Sequence, residues 1–63
     1  MAQGEAKEAQ KLFLRVFEKR HGAVPTDLVS LVRSTTDLDL IHSWVDLVFE
    51  TNSLDEFRQK ASI

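Results

Sequence analysis

The chain has 63 residues, of which 43% are hydrophobic and 29% charged, and its formal net charge is −2. This length predicts a single domain, residues 1–63, with a marginal core, because a chain this short buries only ~60% of its unfolded surface. The composition excludes a disordered chain, and the negative charge gives no electrostatic drive towards nucleic acid or anionic lipid. There is no cysteine, so self-association is the remaining support for so small a core.

The N-terminal stretch MAQGEAKEAQK has no basic segment followed by an apolar one, and the apolar runs elsewhere are short. A signal peptide and a membrane span both need a longer apolar segment. We therefore expect a cytoplasmic protein with no membrane partner.

The first predicted helix covers residues 5–21, a stretch without glycine or proline. Its apolar residues recur at helical spacing and predict one buried face. Four of them are assigned to the core: Leu12, Phe13, Val16 and Phe17. Leu14 lies at the margin of this face, so the apolar stripe is wider than one neighbouring helix requires.

A structural turn is predicted at the segment RHGAVP. Basic residues in a last helical turn, followed by Gly22, are typical of a helix C-terminus, and Pro25 favours entry into the next helix. His21 is therefore interpreted as part of a helix end. A catalytic role would need a nucleophile or carboxylate beside it, and no spacing in the chain supplies one.

The second predicted helix covers residues 27–34, is capped by Thr26 or Asp27, and contributes Leu28 and Leu31 to the core. The third covers residues 38–50, is capped by Asp37 or Thr36, and is the most apolar segment. Its predicted core residues are Ile41, Val45 and Val48.

On a helical wheel the polar residues of the third helix share one narrow arc, which leaves the remaining circumference apolar. These residues are Asp39, His42, Ser43, Asp46 and Glu50. The acidic ones are interpreted as a solvated side rather than a catalytic cluster. The excess apolar surface predicts a homo-oligomer, most simply a dimer, and its interface is assigned to Leu14, Leu40, Trp44 and Leu47.

The last predicted helix covers residues 54–61, with Phe57 in the core and Ser53 and Glu56 forming a capping box. The predicted fold is therefore all-α: a small bundle of four short helices, completed by dimerisation. The two histidines show no metal-ligand spacing and the two glycines stand alone, so we expect no metal, no cofactor and no enzymatic activity.

Two segments, GEAKEAQKLFLRVFEKRHGAVP and LDLIHSWVDLVFETNSLDEF, resemble the C-terminal helical domain of unknown function of bacterial Rpn-family proteins. These are recombination-promoting, transposase-like proteins of the PD-(D/E)XK nuclease family. The resemblance covers nearly the whole chain and is carried by Gly4, Glu5, Ala6, Arg20, Gly22, Pro25, Trp44, Ser53, Leu54, Asp55 and Glu56. It departs at His21, where that family usually has phenylalanine, and at Val24, where leucine is common.

The resemblance implies a non-catalytic domain, since in that family the nuclease residues belong to a separate N-terminal domain. This chain is then either an excised domain or a naturally short product. We expect it to oligomerise with itself and to inhibit a full-length Rpn-family nuclease by forming mixed oligomers. The alternative is a DNA-binding helix-turn-helix domain. That alternative is weakened because residues 34–57 contain no lysine or arginine to contact phosphates and bases.

Overall fold

The computed structural model describes the backbone of residues 2–63 and the side chains of residues 4–63. Within that range the chain forms four helices, α1 (Ala2–His21), α2 (Thr26–Ser34), α3 (Leu38–Glu50) and α4 (Leu54–Ala61), and no strand. The predicted all-α bundle of four helices is confirmed. Only α1 differs clearly in extent, since it begins at Ala2 rather than near Glu5.

The helices form two layers. α1 and α3 lie side by side and run in the same direction. The N-terminal half of α1 lines one groove together with Leu38 and His42 of α3, and near the other end Arg20 of α1 contacts Val48 of α3. α2 runs back along α1 and places its C-terminal Thr35 carbonyl 2.7 Å from Gln10 Nε2. α4 is joined to α2 by an ion pair of 2.9 Å between Arg58 Nη2 and Asp27 Oδ2.

The core is an aromatic cluster centred on α1. Phe13, Phe17 and Phe57 are fully buried, and Trp44 retains 3% exposure. Leu28, Ile41 and Val48 are buried as predicted, and Ala9 and Val32 complete the cluster. Val16 and Val45, also predicted for the core, are only half-buried and pack at its edge.

Two predicted core residues are exposed. Leu12 retains 48% of its accessible surface and Leu31 retains 37%. The prediction was wrong for them because each lies on the flank of its helix that no other helix covers. α2 buries only Leu28 and Val32, and α1 directs Phe13 rather than Leu12 towards the core.

The helix ends follow the sequence signals with two exceptions. Asp37 accepts a hydrogen bond from the Leu40 amide, and Ser53 accepts one from Glu56, as predicted. Glu56, however, accepts from the Asn52 amide at 3.3 Å instead of closing the box on Ser53. α2 has Pro25 at its N-cap position, where proline offers no side-chain acceptor, so neither Thr26 nor Asp27 caps this helix as predicted; the Asp27 carboxylate binds Arg58.

Gly22 ends α1 with φ of +93°, a conformation that side-chain-bearing residues adopt at a cost, and its amide donates to the Glu18 carbonyl. We expect Gly22→Ala to lower the free energy of unfolding by about 1 kcal/mol, because the strain is conformational and nothing lies within 4 Å of the added methyl. Urea denaturation followed by circular dichroism measures it.

The matched control is Gly4→Ala, which lies inside α1 and also meets nothing within 4 Å. It should raise stability by up to about 1 kcal/mol, since alanine is the better helix former. If Gly22→Ala and Gly4→Ala both raise or both lower the free energy of unfolding, the assignment of Gly22 as the left-handed end of α1 is contradicted.

Candidate functional site

One side of the α1–α3 layer is left without a covering helix. At ~100° per residue, Leu12 and Val16 share one flank of α1, and Leu38, Val45 and Phe49 share one flank of α3. The groove lined by both Leu12 and Leu38 shows that these flanks adjoin. We call these five residues the open face. Leu12 and Phe49 are its exposed members, and Val16, Leu38 and Val45 are half-buried against the core.

The two ends of the open face have different shapes. At its C-terminal end Phe49 projects, with 58% of its surface exposed. At its N-terminal end lies a groove between α1 and α3, lined by Gly4, Glu5, Glu8, Ala9, Leu12, Leu38 and His42. The floor of the groove is apolar, and the polar residues stand at its rim. The face therefore combines a projecting aromatic ring with an apolar recess.

The outer edge of the open face changes charge along α1. Glu8 lies on this edge near the helix N-terminus, and Arg15 and Lys19 lie on it near the C-terminus, while Glu5 lies between the directions of Leu12 and Val16 at the N-terminal end. All four charged residues are exposed. Acidic residues near a helix N-terminus and basic ones near its C-terminus also complement the helix dipole. The edge is thus acidic beside the groove and basic beside Phe49.

Arg20 holds the last turn of α3, and with it Phe49, against α1. Its Nε donates to the Val48 carbonyl at 3.0 Å and its Nη2 to the Phe49 carbonyl at 3.1 Å. α3 has no basic residue in its own last turn, so Arg20 supplies the positive charge that a helix C-terminus favours. Phe49 consequently projects from a fixed backbone.

His21 makes a second contact to the end of α3. The Thr51 hydroxyl donates to the Leu47 carbonyl at 2.8 Å, so His21 Nε2, 3.1 Å away, is the donor to Thr51 Oγ1. The other ring nitrogen, Nδ1, is buried with no hydrogen-bond partner. The ring also packs edge-on against Phe17, with centroids 5.1 Å apart. His21 therefore contacts the end of α3 through one nitrogen and the core through its ring.

The predicted interface residues do not form one surface. Trp44 was assigned to it wrongly, because it is buried against Phe13 with ring centroids 6.0 Å apart. Leu14 and Leu47 are half-buried against the core, and Leu40 is 41% exposed. Leu40 and Leu47 share the flank of α3 opposite to Phe49.

Sequence reasoning missed Phe49 as a site residue and assigned Leu12 to the core. The available signal was the width of the apolar arc of α3, which extends to both sides of the polar arc. The arc could not show which flank α2 and α4 would cover.

The acidic and histidine side chains of the described residues are dispersed. No group of three or more His, Asp or Glu side chains within this part of the chain could hold a metal ion. Asp39, Asp46 and Glu50 are exposed on the outer side of α3, as predicted for a solvated arc. None of the helices within residues 2–63 is both long and apolar enough to span a bilayer. The open face is therefore the candidate site, and its chemistry suits protein contact.

No protein-family model, curated protein or solved structure matches this chain. The resemblance to the C-terminal domain of Rpn-family proteins therefore stays a prediction from the sequence motifs.

The geometry of His21 predicts how phenylalanine would behave at this position. We expect His21→Phe to keep or raise the free energy of unfolding, by up to about 1 kcal/mol, because it removes a buried polar nitrogen that has no partner while Thr51 keeps its bond to Leu47. His21→Ala should lower it by about 1–2 kcal/mol through the lost packing on Phe17. Urea titrations of the two variants and the wild type compare these values. A phenylalanine variant less stable than the alanine variant would contradict this interpretation.

Proposed function

We propose that this chain is a non-catalytic helical domain that pairs with a second copy of itself through the open face. The single observation that supports this is the uncovered apolar surface bounded by Leu12 and Phe49, which are 48% and 58% exposed. Single exposed apolar residues are ordinary, but two exposed ones joined across two helices by half-buried apolar residues are typical of an interaction surface. A chain of this size also gains most from burying such a stripe in an oligomer.

A second copy is a suitable occupant because the charged edge of the face is self-complementary. Glu5 and Glu8 at one end can meet Arg15 and Lys19 of another copy at the other end. For a domain of 63 residues we expect a micromolar dissociation constant, about −8 kcal/mol.

The exposed charge does not favour the DNA-binding alternative. The outer side of α3, which would be the recognition helix, presents Asp39, Asp46 and Glu50. These carboxylates would meet phosphates with like charge.

The resemblance to Rpn-family proteins extends the proposal to a regulatory role. If full-length relatives pair through the corresponding domain, this chain can occupy the same surface and leave mixed oligomers with one nuclease domain each. It would then lower nuclease activity in proportion to its concentration. A partner that acts on bacterial DNA would also place the chain in the cytoplasm.

Self-association is tested with a matched pair of substitutions on α3. Phe49→Asp and Leu40→Asp each place a charge at an exposed apolar position, 58% and 41% exposed, on opposite flanks of the helix. We expect the mass of the wild type, measured by sedimentation over a range of concentrations, to rise from 7.2 kDa towards twice that value. Phe49→Asp should stay monomeric and helical, while Leu40→Asp should dimerise like the wild type.

Two results would count against the proposal. A wild-type mass that stays monomeric up to millimolar concentration would exclude self-association. If Leu40→Asp abolishes pairing and Phe49→Asp does not, the interface lies on the flank that the sequence pattern indicated.

The regulatory role is tested by co-expression with a full-length Rpn-family nuclease from the same genome. The wild-type chain should co-purify with the nuclease and reduce its activity, because mixed oligomers displace one nuclease domain from each pair. Phe49→Asp should do neither. A chain that dimerises with itself but neither binds nor inhibits the nuclease would leave a purely structural role.

A further inference from the structure

We propose that two copies of the chain pair antiparallel about a two-fold axis, so that Phe49 of each copy fills the groove between α1 and α3 of the other. This inference rests on the proposed self-association and adds the orientation of the copies and the residue that each contributes. The groove and the projecting ring belong to the same face of one chain, yet they lie at its opposite ends.

The spacing along the helices fits such an axis. Phe13 and Trp44, with ring centroids 6.0 Å apart, mark the level at which α1 and α3 lie against each other. At 1.5 Å per residue, Phe49 lies about 7.5 Å beyond Trp44 along α3, and the midpoint of Leu38 and His42 lies about 6 Å before it. A two-fold axis perpendicular to the helices at this level therefore carries Phe49 onto the groove of the second copy.

The charged edge requires the same orientation. Glu8 lies five residues before Phe13 on α1, and Lys19 lies six residues after it. The axis that brings Phe49 to the groove consequently brings Glu8 of one copy beside Lys19 of the other, and Glu5 towards the same basic end. A parallel pairing about a two-fold axis would turn the α1 edge of one copy onto α3 of the other, so Glu8 would not meet Lys19. Exposed ion pairs contribute little affinity, so these charges select the orientation of the copies rather than the strength of their pairing.

The groove has the composition that an aromatic ring needs. Ala9, Leu12 and Leu38 supply an apolar floor, and the imidazole of His42 stands at the rim. Gly4 adds no side chain, and a Cβ built there would meet nothing within 4 Å. Because each copy gives one ring and receives one, the pairing uses both ends of both faces and closes at two chains.

Disulfide trapping tests the orientation, and the chain has no native cysteine to interfere. Glu8 and Lys19 are eleven residues apart on one helix, about 16 Å, whereas a disulfide needs Cα atoms within about 7 Å. A bond between these positions must therefore join two chains. We expect Glu8→Cys and Lys19→Cys, mixed and oxidised, to give a covalent heterodimer, while neither variant alone forms a linked pair efficiently.

The double variant Glu8→Cys/Lys19→Cys separates a closed pair from an open chain of copies. Under the proposal it gives a dimer carrying two disulfides, and the mass stops there. A ladder of higher oligomers would overturn the two-fold closure. Efficient linking of Glu8→Cys to itself would overturn the antiparallel orientation. Either result would leave the proposed self-association standing, whereas a wild type that is monomeric by sedimentation would remove both proposals.

Filling the groove tests the contact of Phe49. Glu5→Trp places a bulky side chain over the recess from an exposed position that lines it, so the single chain should stay folded. We expect the dimer dissociation constant to rise about tenfold or more, as for loss of a central aromatic contact. Glu5→Gln, which removes the same charge without adding bulk, is the matched control and should change it little. If Glu5→Trp dimerises as tightly as the wild type, the ring of Phe49 does not occupy the groove.

Discussion

The packing of Phe13 is the contact on which the rest of the molecule depends. Its ring lies 5.8 Å from Phe17, 6.0 Å from Trp44 and 5.7 Å from Phe57, measured between centroids. These three neighbours belong to α1, α3 and α4, so one side chain joins three of the helices around a single point. Aromatic pairs in tilted arrangements add about 0.5–1.5 kcal/mol each beyond the burial of their surface. In a chain with little surface to bury, that sum is a large part of the net stability.

The second constraint is the joint between the end of α1 and the end of α3. Arg20 donates hydrogen bonds to the Val48 and Phe49 carbonyls. The next residue, His21, contacts the Thr51 hydroxyl. The carbonyls of a last helical turn have no partners within the helix, and here a neighbouring helix supplies them. Both residues belong to the last turn of α1, directly before the turn at Gly22. The joint therefore fixes the parallel register of α1 and α3, and it sets the place from which Phe49 projects.

The open face follows from how four short helices share out their apolar surface. α2 has nine residues and α4 has eight. Both helices pack on the same side of the α1–α3 layer, where the Arg58–Asp27 ion pair joins them. No segment of residues 2–63 is left to cover the other side. Leu12 and Phe49 stay exposed for this reason, although their residue types alone favour burial. The proposed second copy would supply the missing cover with the same two residues.

Local sequence signals determined the helices, their order and most of their ends. The spacing of apolar residues is a property of each segment by itself, so Phe13, Phe17, Ile41, Val48 and Phe57 were identifiable as core residues from periodicity. Gly22, Asp37 and Ser53 act through atoms a few residues away, and the sequence sufficed for them too. What only the tertiary structure decided is which flank of each helix a neighbour covers. The packing of the helices buried Trp44 and left Leu12, Leu31 and Phe49 exposed. It also brought Gln10 to Thr35 and Arg20 to the end of α3. These contacts join residues far apart in the chain, and no local pattern encodes them.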